Sequence, residues 1–147
     1  MPGWNGTLAQ RASVALGVFF LLSGTIGLII NPDFGTGAGT SAEQFLIDWN
    51  GWHAVLTLAL AAAAFLAAAR RASAVGFQAY NVFANGLTAV WALFDNTPLG
   101  ILDLPNVATD VVLHLVVSSV SLVVLVVQLR RDRALPMSSA GASGLTQ

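Results

Sequence analysis

The chain contains no cysteine and no lysine, and few charges of any kind. Without Cys there can be no disulfide, no thiolate metal site and no cysteine nucleophile. The six basic residues are all Arg, the net charge is −1, and no basic patch is available to neutralise phosphates, which excludes nucleic acid as a partner. Charged residues are 9% of the chain and hydrophobic ones 56%, against roughly 25% charged in an ordinary soluble domain. That is the composition of a membrane protein. Arg used to the exclusion of Lys, with an excess of Ala, Gly and Val, points to a GC-rich bacterial genome.

Catalytic signatures are missing as well. There is no Ser-His-Asp order with nucleophile context, no phosphate-binding Gly loop and no carboxylate pair suited to acid–base work, so the protein is not expected to be an enzyme. No broken helix or ring of charge suggests a transporter or channel either.

What is present is four apolar runs, each long enough for a hydrocarbon core of about 30 Å at about 1.5 Å per residue. The runs are 12–30, 52–69, 72–94 and 107–129. The expected fold is all-α, a four-helix transmembrane bundle of two helical hairpins spanning 12–131. A short segment, 1–11, precedes it, and a small, polar, disordered tail, 132–147, follows. The first run exceeds the usual signal core of about 7–15 residues and so reads as a span. The second, rich in Ala, is the weakest of the four. Only Arg70 and Arg71 separate it from the third, so a tight hairpin is expected there.

Charge sets the orientation. Arg11 precedes the first span, Arg70 and Arg71 join the second and third, and Arg130, Arg131 and Arg133 follow the fourth. The two other connections carry Asp33, Glu43, Asp48, Asp95 and Asp103 and no basic residue. The positive-inside rule then places both termini in the cytoplasm and the protein in the cytoplasmic membrane, with the acidic loops outside.

In the first outer loop, Thr40-Ser-Ala-Glu43 has the pattern of a capping box, with Phe45, Leu46, Trp49 and Trp52 following on one helical face. A short interfacial helix is expected, and Trp49, Trp52 and Trp91 read as interfacial anchors rather than as ligand-stacking rings. Ser13/Gly17 and Ser23/Gly27 in the first span are small-residue pairs that permit close helix approach.

Polar residues inside the spans carry the chemistry. In the fourth, Asp110, His114, Ser118, Ser121 and Gln128 share one helical face; in the third, Gln78, Asn81, Asn85 and Thr88 form a seam. An Asp at a helix centre costs roughly 2.5–3.5 kcal/mol on insertion scales, so these faces must look at other helices. The candidate cluster is Asp110, His114, His53, Asn85, Asn81 and Asn106. Helical rise puts Asn85 and His114 about 10–14 Å deep, Asp110 about 4–5 Å deep and His53 at the surface.

The halves also share a plan. Each runs inward-starting helix, acidic loop, then a helix with an outer His and an inner Arg pair, as an internal two-fold repeat would. Asn50 precedes His53, and Asn106 precedes His114. With Asn50-Gly-Trp-His53 opening the second span and Asn106-x-x-x-Asp110-x-x-Leu-His114-Leu opening the fourth, the chain resembles a bacterial family of four-span membrane proteins known as domain of unknown function 4383. The shared layout covers roughly residues 10–131. The resemblance implies topology but no activity. In that family a second His often stands one turn after the first, where this chain has Thr57.

Three roles follow for the cluster. The first is interhelical packing, which would make the protein a non-enzymatic accessory or packing component of a membrane assembly, without cofactor. Its partners would then be the lipid bilayer and a second membrane protein or another copy of itself. The alternative is an outward-facing pH-responsive or small-ligand site built on Asp110 and His114. The third, haem or metal ligation by His53 and His114, meets a depth difference of about 9 Å between the two rings and a thin supply of ligands.

Overall fold

The computed structural model describes residues 6–35, 42–44, 47–95 and 108–134. Four helices fall on the four apolar runs: α1 Leu8–Ile30, α2 Gly51–Ala68, α3 Arg71–Ala92 and α4 Ala108–Ala134. Between α1 and α2 lies a two-stranded antiparallel hairpin, β1 Ala42–Gln44 with β2 Ile47–Trp49, in which Ala42 faces Trp49. Residues 96–107 and 135–147, including Asn106, Asp103 and the tail, lie outside the described residues.

The bundle buries a row of polar side chains beside an apolar core of Leu16, Phe20, Phe77 and Val117, and its outer surface is apolar. Its largest fully buried side chains include Gln78, Asn50, Asn81 and Asp110, while Leu22, Ile29, Leu66, Phe83 and Val123 are exposed. That arrangement suits lipid, which takes apolar side chains but offers no hydrogen bonds. α1, α2 and α4 are long and apolar enough to cross a membrane. The chain is a membrane protein.

Contrary to expectation, the helix of doubtful apolarity is α3 and not α2. The Ala-rich run of α2 is a packing face: Ala54, Thr57, Ala61, Ala64 and Ala68 are buried at steps of three and four. This face packs on α1, where a Cβ built on Gly24 would lie 3.0 Å from the Ala54 carbonyl. α3 gives up apolar positions to its buried seam, Gln78, Asn81 and Asn85. Its 22 residues still extend about 33 Å.

Pairing also departs from expectation. α1 packs closely on α2, and α3 on α4, whereas α2 and α3 touch along little of their length despite their short link. The close pairs are therefore the two halves of the proposed repeat.

The expected interfacial helix is replaced by the β hairpin. Ile47-Asp48-Trp49 alternates apolar and polar residues with the period of a strand, and so short a helix would have gained few bonds for the cost of its first turn. Trp49 then plugs into the bundle instead of anchoring at its edge. It is 4% exposed and sits on Gly27, where an added Cβ would fall 2.1 Å from the indole. Asn31 Nδ2 donates to the Trp49 carbonyl at 2.8 Å and holds it there. Trp52 and Trp91 remain exposed. Of the two small-residue pairs in α1, Ser13 and Gly17 are buried, and in the second Gly27 is buried while Ser23 is half-buried; both serines donate to the carbonyl four residues back, Ala9 at 2.9 Å and Phe19 at 2.7 Å.

At the Arg-bearing end, polar side chains satisfy helix termini. Thr7 and Gln10 form a capping box that starts α1 before its apolar run. Gln10 Nε2 donates to the Ala68 carbonyl of α2 at 2.9 Å, and the Ala9 N–H of α1 donates to Gln128 Oε1 of α4 at 3.2 Å. Arg71 pairs with Asp132.

Candidate functional site

At the other end, the polar faces of α3 and α4 meet α2. Asn50, fully buried, caps α2 by accepting the His53 N–H at 2.8 Å, which places His53 in the first turn with its ring over α4. Asp110 stands in the first turn of α4, where the helix dipole favours a carboxylate. It is 2% exposed and turned into the bundle, with Oδ1 4.0 Å from His114 Nε2.

The rings of Trp49, His53 and His114 are nearly parallel. Trp49 stacks on His53 with centroids 4.7 Å apart, and His53 lies 6.3 Å from His114. This overturns the depth estimate that separated the histidines. That estimate measured each residue from its own helix start and set all the starts at one height. Trp49 rests on Gly27, about one turn below the end of α1, so α2 begins inside the bundle and His53 descends with it.

The Asn seam feeds this cluster in one direction. Asn81 Nδ2 donates to Ser121 Oγ at 2.9 Å; Asn81 Oδ1 accepts from Asn85 Nδ2 at 2.5 Å; Asn85 Oδ1 then faces His114 Nδ1 at 2.8 Å. With its amide nitrogen committed to Asn81, Asn85 presents only an acceptor. His114 therefore carries a proton on Nδ1, and its Nε2 is the nitrogen turned toward Asp110. Lower down, Gln78 Nε2 donates to Ser13 Oγ at 3.1 Å, and Ser118 Oγ to the Val82 carbonyl at 2.9 Å. Thr88 is spent on its own helix, donating to the Ala84 carbonyl at 2.9 Å.

Because α2 and α3 splay, a cleft of about 370 Å³ opens between them. His53, Asp110, His114 and Asn85 close its polar end, while Ala59, Ala63 and Tyr80 continue it along the helices. Exposed Leu56, Ala59, Ala63 and Tyr80 rim its mouth, so it opens on the side of the bundle. A second cavity of about 40 Å³ adjoins the cluster from within, between Trp49, His53, Asp110 and His114.

Of the six candidate residues, five are described: His53, Asp110, His114 and Asn85 converge, and Asn81 supports them from one turn below. Three neighbours escaped sequence reading. By sequence Trp49 reads as an anchor, and Tyr80 shows no polar periodicity. Thr57 donates to the His53 carbonyl at 2.9 Å, and only its place one turn after a histidine marked it.

Compared with known proteins, residues 10–127 match the family described as Domain of unknown function (DUF4383). No curated protein and no solved structure matches the chain.

Proposed function

The chain belongs to that family, whose description names no activity, and from the geometry we propose that it binds a small amphiphilic molecule taken up sideways from the bilayer. The observation that carries this reading is the cleft between α2 and α3, apolar along its length and closed at one end by two imidazoles, a carboxylate and an amide. Ligand sites of roughly 300–1,000 Å³ with a few convergent polar groups have this character. From His53 to Ala63 the groove runs about 15 Å along α2, enough for a polar group at the histidines and an apolar body beside Ala59 and Ala63.

In this reading the seam does two jobs. Gln78, Asn81, Ser118 and Ser121 hold helices together, the packing role first expected of the whole stripe. His53, Asp110 and His114 sit where an occupant would touch them. The protein binds rather than catalyses. In this reading all four helices cross the cytoplasmic membrane, and the two-residue link of α3 to α2 and its long seam with α4 support its crossing with them. The Arg-bearing end, where α1 begins and α4 ends, would lie in the cytoplasm, and the cleft's polar end toward the outer face.

The test is the organic extract of protein purified in mild detergent, with Ala59→Trp as the variant that fills the groove. We expect a near-stoichiometric amphiphile in the wild type and its loss from the variant. The same extract from both would end this reading.

A further inference from the structure

We propose that His53, Asp110 and His114 form a binding site for a borderline divalent transition cation, with zinc(II) as the representative ion. Each residue offers one donor atom, and the three atoms lie within 4.8 Å of one another. They come from two helices, α2 and α4, so the cluster is a product of packing and not of local sequence. The inference deepens the reading above and rests on it only for the fourth coordination position.

The donor set selects the ion. Two imidazole nitrogens and one carboxylate oxygen suit zinc and its first-row neighbours, while calcium and magnesium seek all-oxygen shells. Three protein donors with one position left to water or substrate is the pattern of zinc sites that keep an open position. In tetrahedral zinc coordination the donors stand about 3.3 Å apart, so the widest separation here must close by roughly 1.5 Å. Binding would draw the His53 and Asp110 side chains together by that distance.

The tautomer argues in the same direction. A metal-binding imidazole typically donates its other N–H to a fixed acceptor, which sets the ring and aims the lone pair. His114 does this with Asn85, and Asn85 is itself held by Asn81 at 2.5 Å. The Nε2 so aimed is the nitrogen facing Asp110 Oδ1. The inner cavity of about 40 Å³ at the cluster has room for a water on the ion. On the opposite side the cleft can present the polar group of its occupant.

The experiment uses the full chain in mild detergent, stripped with a chelator and titrated with cobalt(II) alone and then zinc(II) alone, read by visible absorption and elemental analysis. We expect one cation per chain, cobalt bands typical of nitrogen and oxygen donors, and their displacement by zinc. His53→Gln should weaken binding at least about 100-fold. Asn85→Leu, which touches no ion, should weaken it about 10–100-fold. His53 is only half-buried, so its variant is expected to fold, and a melt in the same detergent checks that. Absence of stoichiometric cobalt from the wild type, or equal binding by wild type and a folded His53→Gln, overturns the site. Ala59→Trp separates the two proposals, since it blocks the groove without removing a donor. Cobalt retained with the amphiphile lost supports both; the amphiphile retained alongside cobalt overturns the groove alone.

Discussion

Across the α3–α4 seam, Asn85 Oδ1 stands 2.8 Å from His114 Nδ1, and this contact decides which imidazole nitrogen faces Asp110. A carboxamide can present either end to a neighbour. Asn81 removes the choice by taking the Asn85 amide nitrogen.

Asn85→Leu should therefore release the His114 ring. Nitrogen NMR of the labelled imidazole is expected to show protonated Nδ1 in the wild type and mixed tautomers in the variant. The lost bond in a buried seam should lower stability by about 1–2 kcal/mol. An unchanged imidazole spectrum would mean that Asn85 does not set the tautomer.

Gly27 and Gly76 give a contrast within one bundle. A Cβ on Gly27 would sit 2.1 Å from the Trp49 ring, whereas nothing lies within 4 Å of one on Gly76. Gly27→Ala should displace Trp49, shift its fluorescence and destabilise by about 1–3 kcal/mol, the usual range for overpacking. Gly76→Ala should leave the fluorescence alone and stabilise by up to about 1 kcal/mol through helix propensity. Thermal melts of the pair in one detergent decide the matter.

The Asn81–Ser121 bond links the two helices of one hairpin. A double-mutant cycle with Asn81→Leu and Ser121→Ala should give a coupling near 0.6 kcal/mol and below about 1.7 kcal/mol, the range for such bonds between membrane helices. Coupling near zero would remove this contact from the account of the seam.

Orientation can be read directly because the chain has no native cysteine. A single cysteine introduced by Asp33→Cys should react with an impermeant thiol reagent on intact cells, and one introduced by Arg133→Cys only after permeabilisation. The opposite pattern would place the Arg-bearing end outside.

Much of the fold could be read from spacing, because lipid enforces it. Asp110, Ser121 and Gln128 had to face inward, and so did Gln78, Asn81 and Asn85; all six are buried. The two short strands are not legible in the sequence because Thr40–Glu43 matches a local helix start, while Trp49 packing on Gly27 of α1 makes the choice. The small residues of α2 mislead for a related reason. Alanine looks weakly apolar alone, yet against the glycines of α1 it permits a close approach of backbones.

By itself the sequence determined that this is a four-helix membrane protein whose polar faces turn inward, because an unsatisfied polar group in hydrocarbon is costly wherever it falls along a helix. Only the tertiary structure decided that His53 meets His114 and Asp110. The height at which each helix enters the bundle and the splay of α2 from α3 depend on contacts such as Trp49 on Gly27. Contacts of that kind join residues far apart in the chain, and helical periodicity does not encode them.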